Sequence, residues 1–167
     1  ATLRRMWQAL PLPDADGAET LRTECLRMRD FVVEVRRHTA MHFAAPEVDG
    51  LSPKAAARPV TLEDVSNTLA VASRHNASVI PWGGGTRMAL GNPPGSYDLA
   101  LDLAGLRDLQ EHRPGDLTAT VQTGITLGAL QGKLTRNGQF LPLDPPLPDR
   151  ATIGGLLATG SCGPLRA

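Results

Sequence analysis

The sequence predicts an α+β domain in which a small mixed sheet is flanked by helices, preceded by a helical N-terminal extension. From about residue 58 onward, segments of helical periodicity alternate with short apolar or β-branched segments and with turns, which is the pattern of a layered domain. The 167 residues suit one ordinary domain or slightly more, and a hydrophobic content of 41% is enough for a buried core.

Composition excludes several classes of function. The 17 basic and 17 acidic side chains cancel, so no electrostatic footprint for nucleic acid is expected, and aromatic residues make up only 4%. No apolar run approaches the ~20 residues that span a bilayer, and the basic start of the chain lacks the apolar stretch of a secretory signal. With Cys25 and Cys162 far apart, we expect two reduced thiols and a cytoplasmic protein.

The first third of the chain differs from the rest. Residues 18–40 predict a one-faced amphipathic helix, because five apolar residues recur at spacings of three and four. These are Leu21, Cys25, Met28, Val32 and Val35. Residues 44–59 contain three prolines and a glycine and predict a linker or extended arm. We therefore predict an extension and linker over residues 1–57 and a second unit over residues 58–167.

The second unit begins with a predicted helix. Thr61 and Asp64 have the spacing of a capping box, and Asn76 is a suitable stop. The apolar face of this helix is predicted to consist of Val65, Leu69 and Ala72.

Four strands follow from residue pattern and propensity. Ala77–Trp82 is short and apolar, and residues 98–103 alternate as a half-buried strand would. A turn at residues 113–116 leads into a β-branched strand over residues 117–123, and residues 139–141 predict one more short strand.

Two further helices are predicted after these strands. Thr126 caps a helix with apolar Leu127, Leu130 and Leu134, which Asn137-Gly138 closes. Residues 144–148 form a stiff proline-rich loop, and Thr152 caps the last helix.

Two glycine-rich segments carry the predicted chemistry. Gly83-Gly84-Gly85 directly follows a strand, and such a run allows positive φ angles and lets successive N–H groups point toward one anion. Thr86 adds a hydroxyl donor and Arg87 a positive charge, unless Arg87 simply points to solvent.

The second glycine-rich segment opens a helix. Gly154 and Gly155 lie in its first turn, where free N–H groups are expected to face outward and a phosphate can approach closely. Tight turns alone are the alternative explanation of both clusters. Neither the G-x-G-x-x-G pattern of a Rossmann domain nor a Walker G-K-[ST] sequence is present.

Six ordered motifs over residues 58–166 resemble the FAD-binding PCMH-type domain of vanillyl-alcohol-oxidase-like flavoproteins. The resemblance is strongest to the FAD-binding subunit of glycolate oxidase and to D-lactate dehydrogenases. The motifs are Arg58-Pro59, PWGGGT at 81–86, LDL at 101–103 with Leu106, TVQTGITL at 120–127, LDPP at 143–146, and ATIGG at 151–155 continuing through AT at 158–159 to Gly163-Pro164.

The resemblance implies that FAD is the cofactor and that these two segments wrap its diphosphate. The cofactor-binding residues that it implies are Pro81, Trp82, Gly83, Gly84, Gly85, Thr86, Arg87, Pro145, Thr152, Ile153, Gly154, Gly155, Ala158, Thr159, Ser161 and Gly163. It implies no catalytic residue in this chain, which we expect to be a front part of the domain and inactive alone.

Three residues depart from the family pattern. Trp82 replaces the usual arginine, as a residue that packs either on the ligand or in the core. Thr86 occupies the place of a histidine that links flavin in some relatives, so non-covalent binding is implied. Cys162 is interpreted as a small buried filler.

The implied function is oxidation of a 2-hydroxy acid such as glycolate or D-lactate, in a complete protein that includes other oxidase subunits. Two alternatives stay open: a non-catalytic truncated fragment, and a nucleotide-sugar reductase of the same fold, like UDP-N-acetylenolpyruvoylglucosamine reductase.

Three other groups of residues have weaker interpretations. Glu34, His38 and His42 are spaced four apart and form either a metal site or, as we predict, a solvated helix face. Asp144 and Asp149 form either a carboxylate pair or helix caps, and His75 and His112 are expected at the surface.

Overall fold

A computed structural model of the chain describes residues 15–41 and 47–165, and its mixed helix–strand architecture confirms the predicted α+β class. The α-helices are α1 (Ala15–His38), α2 (Leu62–Arg74), α3 (Leu127–Leu134) and α4 (Ile153–Thr159). The strands are β1 (Ala40–Met41), β2 (Ala55–Arg58), β3 (Val79–Trp82), β4 (Leu99–Asp102), β5 (Leu109–Arg113) and β6 (Thr118–Val121). Short 3-10 turns cover Leu103–Gly105, Pro114–Asp116 and Thr135–Asn137.

The larger sheet has the strand order β1-β2-β4-β3 and is mixed, as predicted. Strands β2 and β3 both pair in parallel with β4, while β1 runs antiparallel to β2. All four residues of β4 are buried, because this central strand is covered on both faces. The expectation of a half-buried strand over 98–103 is therefore wrong, although the alternation of its side chains is real.

The predicted linker over residues 44–59 is corrected at its end. Ala55, Ala56 and Ala57 are buried in β2, next to the central strand. Short alanine side chains give no strand signal of their own, and their strand character comes from pairing with β1 and β4. The predicted boundary between residues 57 and 58 lies within β2, and the division of the chain there stays a prediction.

One face of this sheet packs against α1 and α2. Phe31 and Val35 of α1 are fully buried with Val71 of α2 and Leu99 of β4. Met28 and Val32 contact the same core, as the helical spacing predicted, whereas Leu21 and Cys25 are exposed and lie outside it.

The capping box of α2 is confirmed. The Thr61 hydroxyl accepts a hydrogen bond from the Asp64 N–H at 3.0 Å, and the Asp64 carboxylate accepts one from the Thr61 N–H at 3.1 Å. The inner face of α2 consists of Thr68, Val71 and Ala72, while Leu69 is 43% exposed, so its predicted place in the core is wrong.

The opposite face of the sheet holds a smaller apolar cluster. Val48, Ala56, Tyr97 and Ala100 are buried there, and Trp82 packs on them at the edge. Burial raises the pKa of the Tyr97 phenol, whose hydroxyl has no hydrogen-bond partner in the described residues. The candidate site lies next to this cluster, because Val48, Ile80 and Met88 belong to the cluster and also line the site.

Strands β5 and β6 form a separate antiparallel hairpin that covers α3. The sequence did not predict β5, because its residues LQEHR lack apolar alternation. The predicted strand at 139–141 is absent from the structure. Instead, the Gln131 amide takes the place of a partner strand, accepting from the Leu141 N–H at 2.9 Å and donating to its carbonyl at 2.7 Å.

Helix α4 is positioned by the segment that leads into α3. The Leu127 N–H donates to the Ala151 carbonyl and the Ile153 N–H to the Ile125 carbonyl, both at 2.9 Å. These bonds flank a bridge between Thr126 and Thr152, the two predicted cap residues. In the described ranges, no helix has both the length and the apolar character that crossing a bilayer requires.

Candidate functional site

A cleft of about 310 Å³ lies where the loop after β3 meets α4. We call it the main cleft. Its lining includes Pro81 and residues 83–88 of the loop, and Thr152, Gly155, Ala158 and Thr159 of α4 and its cap. The structure therefore brings the two predicted glycine-rich segments together at one cavity.

The glycines of the first loop serve two different purposes. Gly85 has a φ of +66°, and a Cβ there would stand 2.4 Å from the Trp82 ring. A Cβ on Gly83 would stand 2.3 Å from the Thr152 hydroxyl, and one on Gly84 only 1.6 Å from the Arg150 carbonyl oxygen. Of the three glycines, which all allow positive φ, only Gly85 adopts it, whereas Gly83 and Gly84 allow the two segments to touch.

The loop carries unused main-chain donors. The N–H groups of Gly84, Gly85, Thr86 and Arg87 donate to no acceptor within residues 15–41 and 47–165. Main-chain N–H groups left without a protein partner require water or a ligand, so this segment is able to bind an anion.

The start of α4 differs from its prediction. The Gly154 N–H donates to the Thr123 carbonyl at 2.8 Å, and the Gly155 N–H to the Thr152 hydroxyl at 3.3 Å. The expectation of free, outward N–H groups at these two glycines is therefore wrong. Their function is steric, because a Cβ on Gly154 would stand 2.8 Å from that of Thr123, and Gly155 leaves the wall of the cleft bare.

Two arginines hold the segments around the cleft. The Arg87 guanidinium donates to the Ser161 hydroxyl at 3.1 Å, and the Arg150 guanidinium donates to the Gly84 carbonyl at 3.3 Å. Neither arginine has an ion-pair partner in the part of the chain that the structure describes. Their charges remain available to an anionic ligand.

A second cleft of about 220 Å³ adjoins the first, and Gly83, Thr152, Gly155 and Ala158 line both. Its other walls are mainly apolar and include Trp82 and Leu103, with Thr123 and Gly154. Trp82 thus contacts both the apolar cluster of the sheet and this second cleft, so the two interpretations of this residue are compatible.

Besides Ser161, three predicted residues line neither cleft. Ile153 packs into the apolar clusters around α3, and Pro145 is buried in the proline loop. Gly163 lies against Asp144, whose carboxylate accepts from the Leu165 N–H at 3.0 Å. Asp144 therefore fixes the turn at the end of the described chain, and the structure gives it no contact with Asp149.

Glu34 connects α1 to the C-terminal end of α2. Glu34 pairs with Arg74 and, at 2.9 Å, with His75, and these hydrogen bonds, that of His75 foremost, hold the pKa of Glu34 below its usual value. His42 lies outside the described residues. His75 packs at 5.6 Å on the Phe31 ring and is half-buried rather than at the surface.

His112 is also half-buried rather than at the surface. Its Nε2 atom is 2.7 Å from the Gln139 amide oxygen.

The far rim of the main cleft was not predicted from the sequence. Val48, Asp49, Leu90, Asn92 and Pro94 line it. Asp49-Gly50 is a strong signal for a two-residue hairpin turn and would have predicted the turn between Val48 and Leu51.

Comparison with known proteins is consistent with this geometry. Glycolate oxidase subunit GlcD of Bacillus subtilis is 30% identical over 120 residues, 72% of this chain and 25% of that protein. D-2-hydroxyglutarate dehydrogenase of Xanthomonas citri is 30% identical over 112 residues, 67% of this chain and 24% of that protein. The chain thus spans about a quarter of the length of these relatives.

A solved structure and a family model agree with these relatives. An alkyldihydroxyacetonephosphate synthase superposes with a TM-score of 0.59 at 29% identity, over 66% of this chain and 23% of that one. A family model described as FAD binding domain matches residues 53–167. Because this match covers more than half of the sequence and includes both glycine-rich segments, the chain belongs to the FAD-binding domain family, whose cofactor is FAD.

Proposed function

We propose that the main cleft holds the diphosphate of FAD in an oxidoreductase that acts on a 2-hydroxy acid. The observation that carries this proposal is the set of four unused N–H groups at residues 84–87, in a loop that lines the same cleft as Gly155 and Ala158. An FAD diphosphate is doubly negative and accepts several hydrogen bonds, which matches donors of this kind.

The residues present fit such a group. Gly84, Gly85 and Thr86 supply main-chain donors, and Arg87 supplies a positive charge without a carboxylate partner in the described residues. Gly155 and Ala158 keep two positions of the α4 wall small beside Leu156, and the adjoining apolar cleft gives room for a ring system. When bound, FAD accepts the two electrons released as an alcohol carbon becomes a carbonyl. This chain then binds and orients the cofactor.

The substrate class rests on the two curated relatives. Both are named for 2-hydroxy acids, glycolate in one case and D-2-hydroxyglutarate in the other. We therefore propose glycolate, D-lactate or a close analogue as the substrate. The first relative is named as an oxidase subunit, which supports assembly of the whole protein with other subunits.

Narrowing the cleft tests cofactor binding. Ala158→Leu adds three carbon atoms to an exposed position of α4 that lines both clefts. Since the leucine occupies ligand space, we expect the Kd for FAD, followed by flavin fluorescence, to rise at least about tenfold.

Ala129→Leu on α3 is the matched control, because Ala129 is also an exposed helical alanine and lines neither cleft. Its affinity for FAD should stay within about twofold of the wild-type value. Equal affinities of Ala158→Leu and the wild type, or no binding by the wild type, would contradict the proposal.

The substrate is tested separately in the complete protein. Anaerobic addition of glycolate, D-lactate or D-2-hydroxyglutarate should bleach the visible flavin band. Bound flavin that none of these acids reduces would refute the substrate class and leave the FAD site intact.

A further inference from the structure

A hydrogen-bonded turn places Asp49 at the wall of the main cleft. The N–H of Val48 donates to the Leu51 carbonyl and the N–H of Leu51 to the Val48 carbonyl, both at 2.9 Å. Asp49 and Gly50 between them have φ angles of +48° and +82°, which is the pattern of a tight type I′ turn. The turn is anchored because Val48 is buried in the cluster below the cleft.

The Asp49 carboxylate has no partner within residues 15–41 and 47–165. By contrast, the carboxylates of Asp98 and Asp144 accept hydrogen bonds from protein donors, from Ser78 and from the Leu165 N–H respectively. Asp49 instead lines the main cleft beside Asn92 and Pro94. The Asp-Gly pair accounts for the left-handed backbone of the turn, so the distinguishing feature of Asp49 is an exposed, unused carboxylate at the wall of the main cleft.

The main cleft therefore carries charges of both signs. Arg87 and the free N–H groups attract the diphosphate, whereas the Asp49 carboxylate repels any phosphate. The ligand atoms beside Asp49 must then be hydrogen-bond donors. FAD has such donors on both sides of its diphosphate, as hydroxyl groups and as ring or exocyclic N–H groups.

We infer that Asp49 is a recognition residue that accepts a hydrogen bond from a hydroxyl or N–H group of FAD and so orients the cofactor along the cleft. This inference rests on the proposed function. It assigns the rim at residues 48–49 and 90–94 to the part of the ligand beyond the diphosphate.

Asp49→Asn tests the inference, because asparagine tolerates the same left-handed turn and removes only the charge. Titration calorimetry of the chain with FAD should show affinity reduced about tenfold or more, as expected when a charge-assisted hydrogen bond is weakened. Inorganic pyrophosphate should bind this variant as tightly as the wild type or more tightly, because the variant lacks the negative charge of the Asp49 carboxylate. Asp116→Asn, in the distant β5–β6 turn, is the control and should bind FAD and pyrophosphate with the affinities of the wild type.

ADP and FMN then identify the half of FAD involved, since the affinity of only one of them should fall. Unchanged or tighter FAD binding by Asp49→Asn would overturn the inference. An equal loss of affinity for pyrophosphate would also overturn the inference, since the substitution would then have disturbed the phosphate site itself. A wild-type chain that binds no FAD would instead refute the proposed function.

Discussion

A single methyl group at Gly84 tests whether direct contact between the two glycine-rich segments builds the cleft. The added Cβ would stand 1.6 Å from the Arg150 carbonyl oxygen and 2.6 Å from its carbon, whereas ordinary contact begins at 3.4 Å. Both partners are main chain, so no side-chain rotation relieves the overlap, and the segments must separate by about 2 Å.

This separation has a predictable cost. Overpacking costs about 1–3 kcal/mol, and separation also breaks the hydrogen bond from Arg150 to the Gly84 carbonyl. We therefore expect Gly84→Ala to lose about 3 kcal/mol of unfolding free energy. For a chain of this length that corresponds to a Tm lower by about 6–12 °C.

Thermal unfolding followed by circular dichroism measures the effect. Gly95→Ala is the control in the same loop, because its Cβ would meet nothing within 4 Å and its φ is not positive. It should be neutral or stabilising by up to about 1 kcal/mol. Equal melting temperatures for the two variants would refute the contact between loop and α4 cap.

Two further predictions concern the scaffold. Thr61→Ala removes the capping box of α2 and should cost about 1 kcal/mol in urea unfolding; an unchanged midpoint would contradict the cap. Burial raises the pKa of Asp98, but hydrogen bonds from Lys54 and Ser78 outweigh this effect and leave the pKa below its usual value. A carboxyl group whose pKa is lowered by folding stabilises the folded state at pH values above its unfolded-state pKa, and this stability is lost as the pH falls through its folded-state pKa. Asp98→Asn should therefore lower the free energy of unfolding at neutral pH by about 1–3 kcal/mol. Its Tm should then fall less steeply than that of the wild type below about pH 4; parallel curves would contradict the shift.

Local signals predicted the helices well. Thr61, Thr126 and Thr152 each accept a hydrogen bond from the N–H three residues later, and such a cap depends only on neighbouring residues. Strands β2 and β5 were missed because their strand character comes from distant partners: an alanine-rich segment and a polar one become strands by pairing with β4 and β6.

For the candidate site, the two glycine-rich segments were predicted from the sequence, but some of its contacts were not. The motifs indicated that the loop at residues 83–87 and the segment from Thr152 act together, and both line the main cleft. The use of the α4 N–H groups by Thr123 and Ile125 was not predictable, because those acceptors come from a distant part of the sequence. Asp49 was not predicted either, because the fold brings it to the rim from a segment whose composition predicted a linker.

Amide chemical shifts test the central claim most directly. In a titration of the ¹⁵N-labelled chain with FAD, the N–H resonances of Gly84, Gly85, Thr86 and Arg87 should move downfield as they begin to donate to phosphate. Those of Gly154 and Gly155 should move little, because their hydrogens are already donated within the protein. Shifts confined to the start of α4, with the loop amides unmoved, would contradict the account.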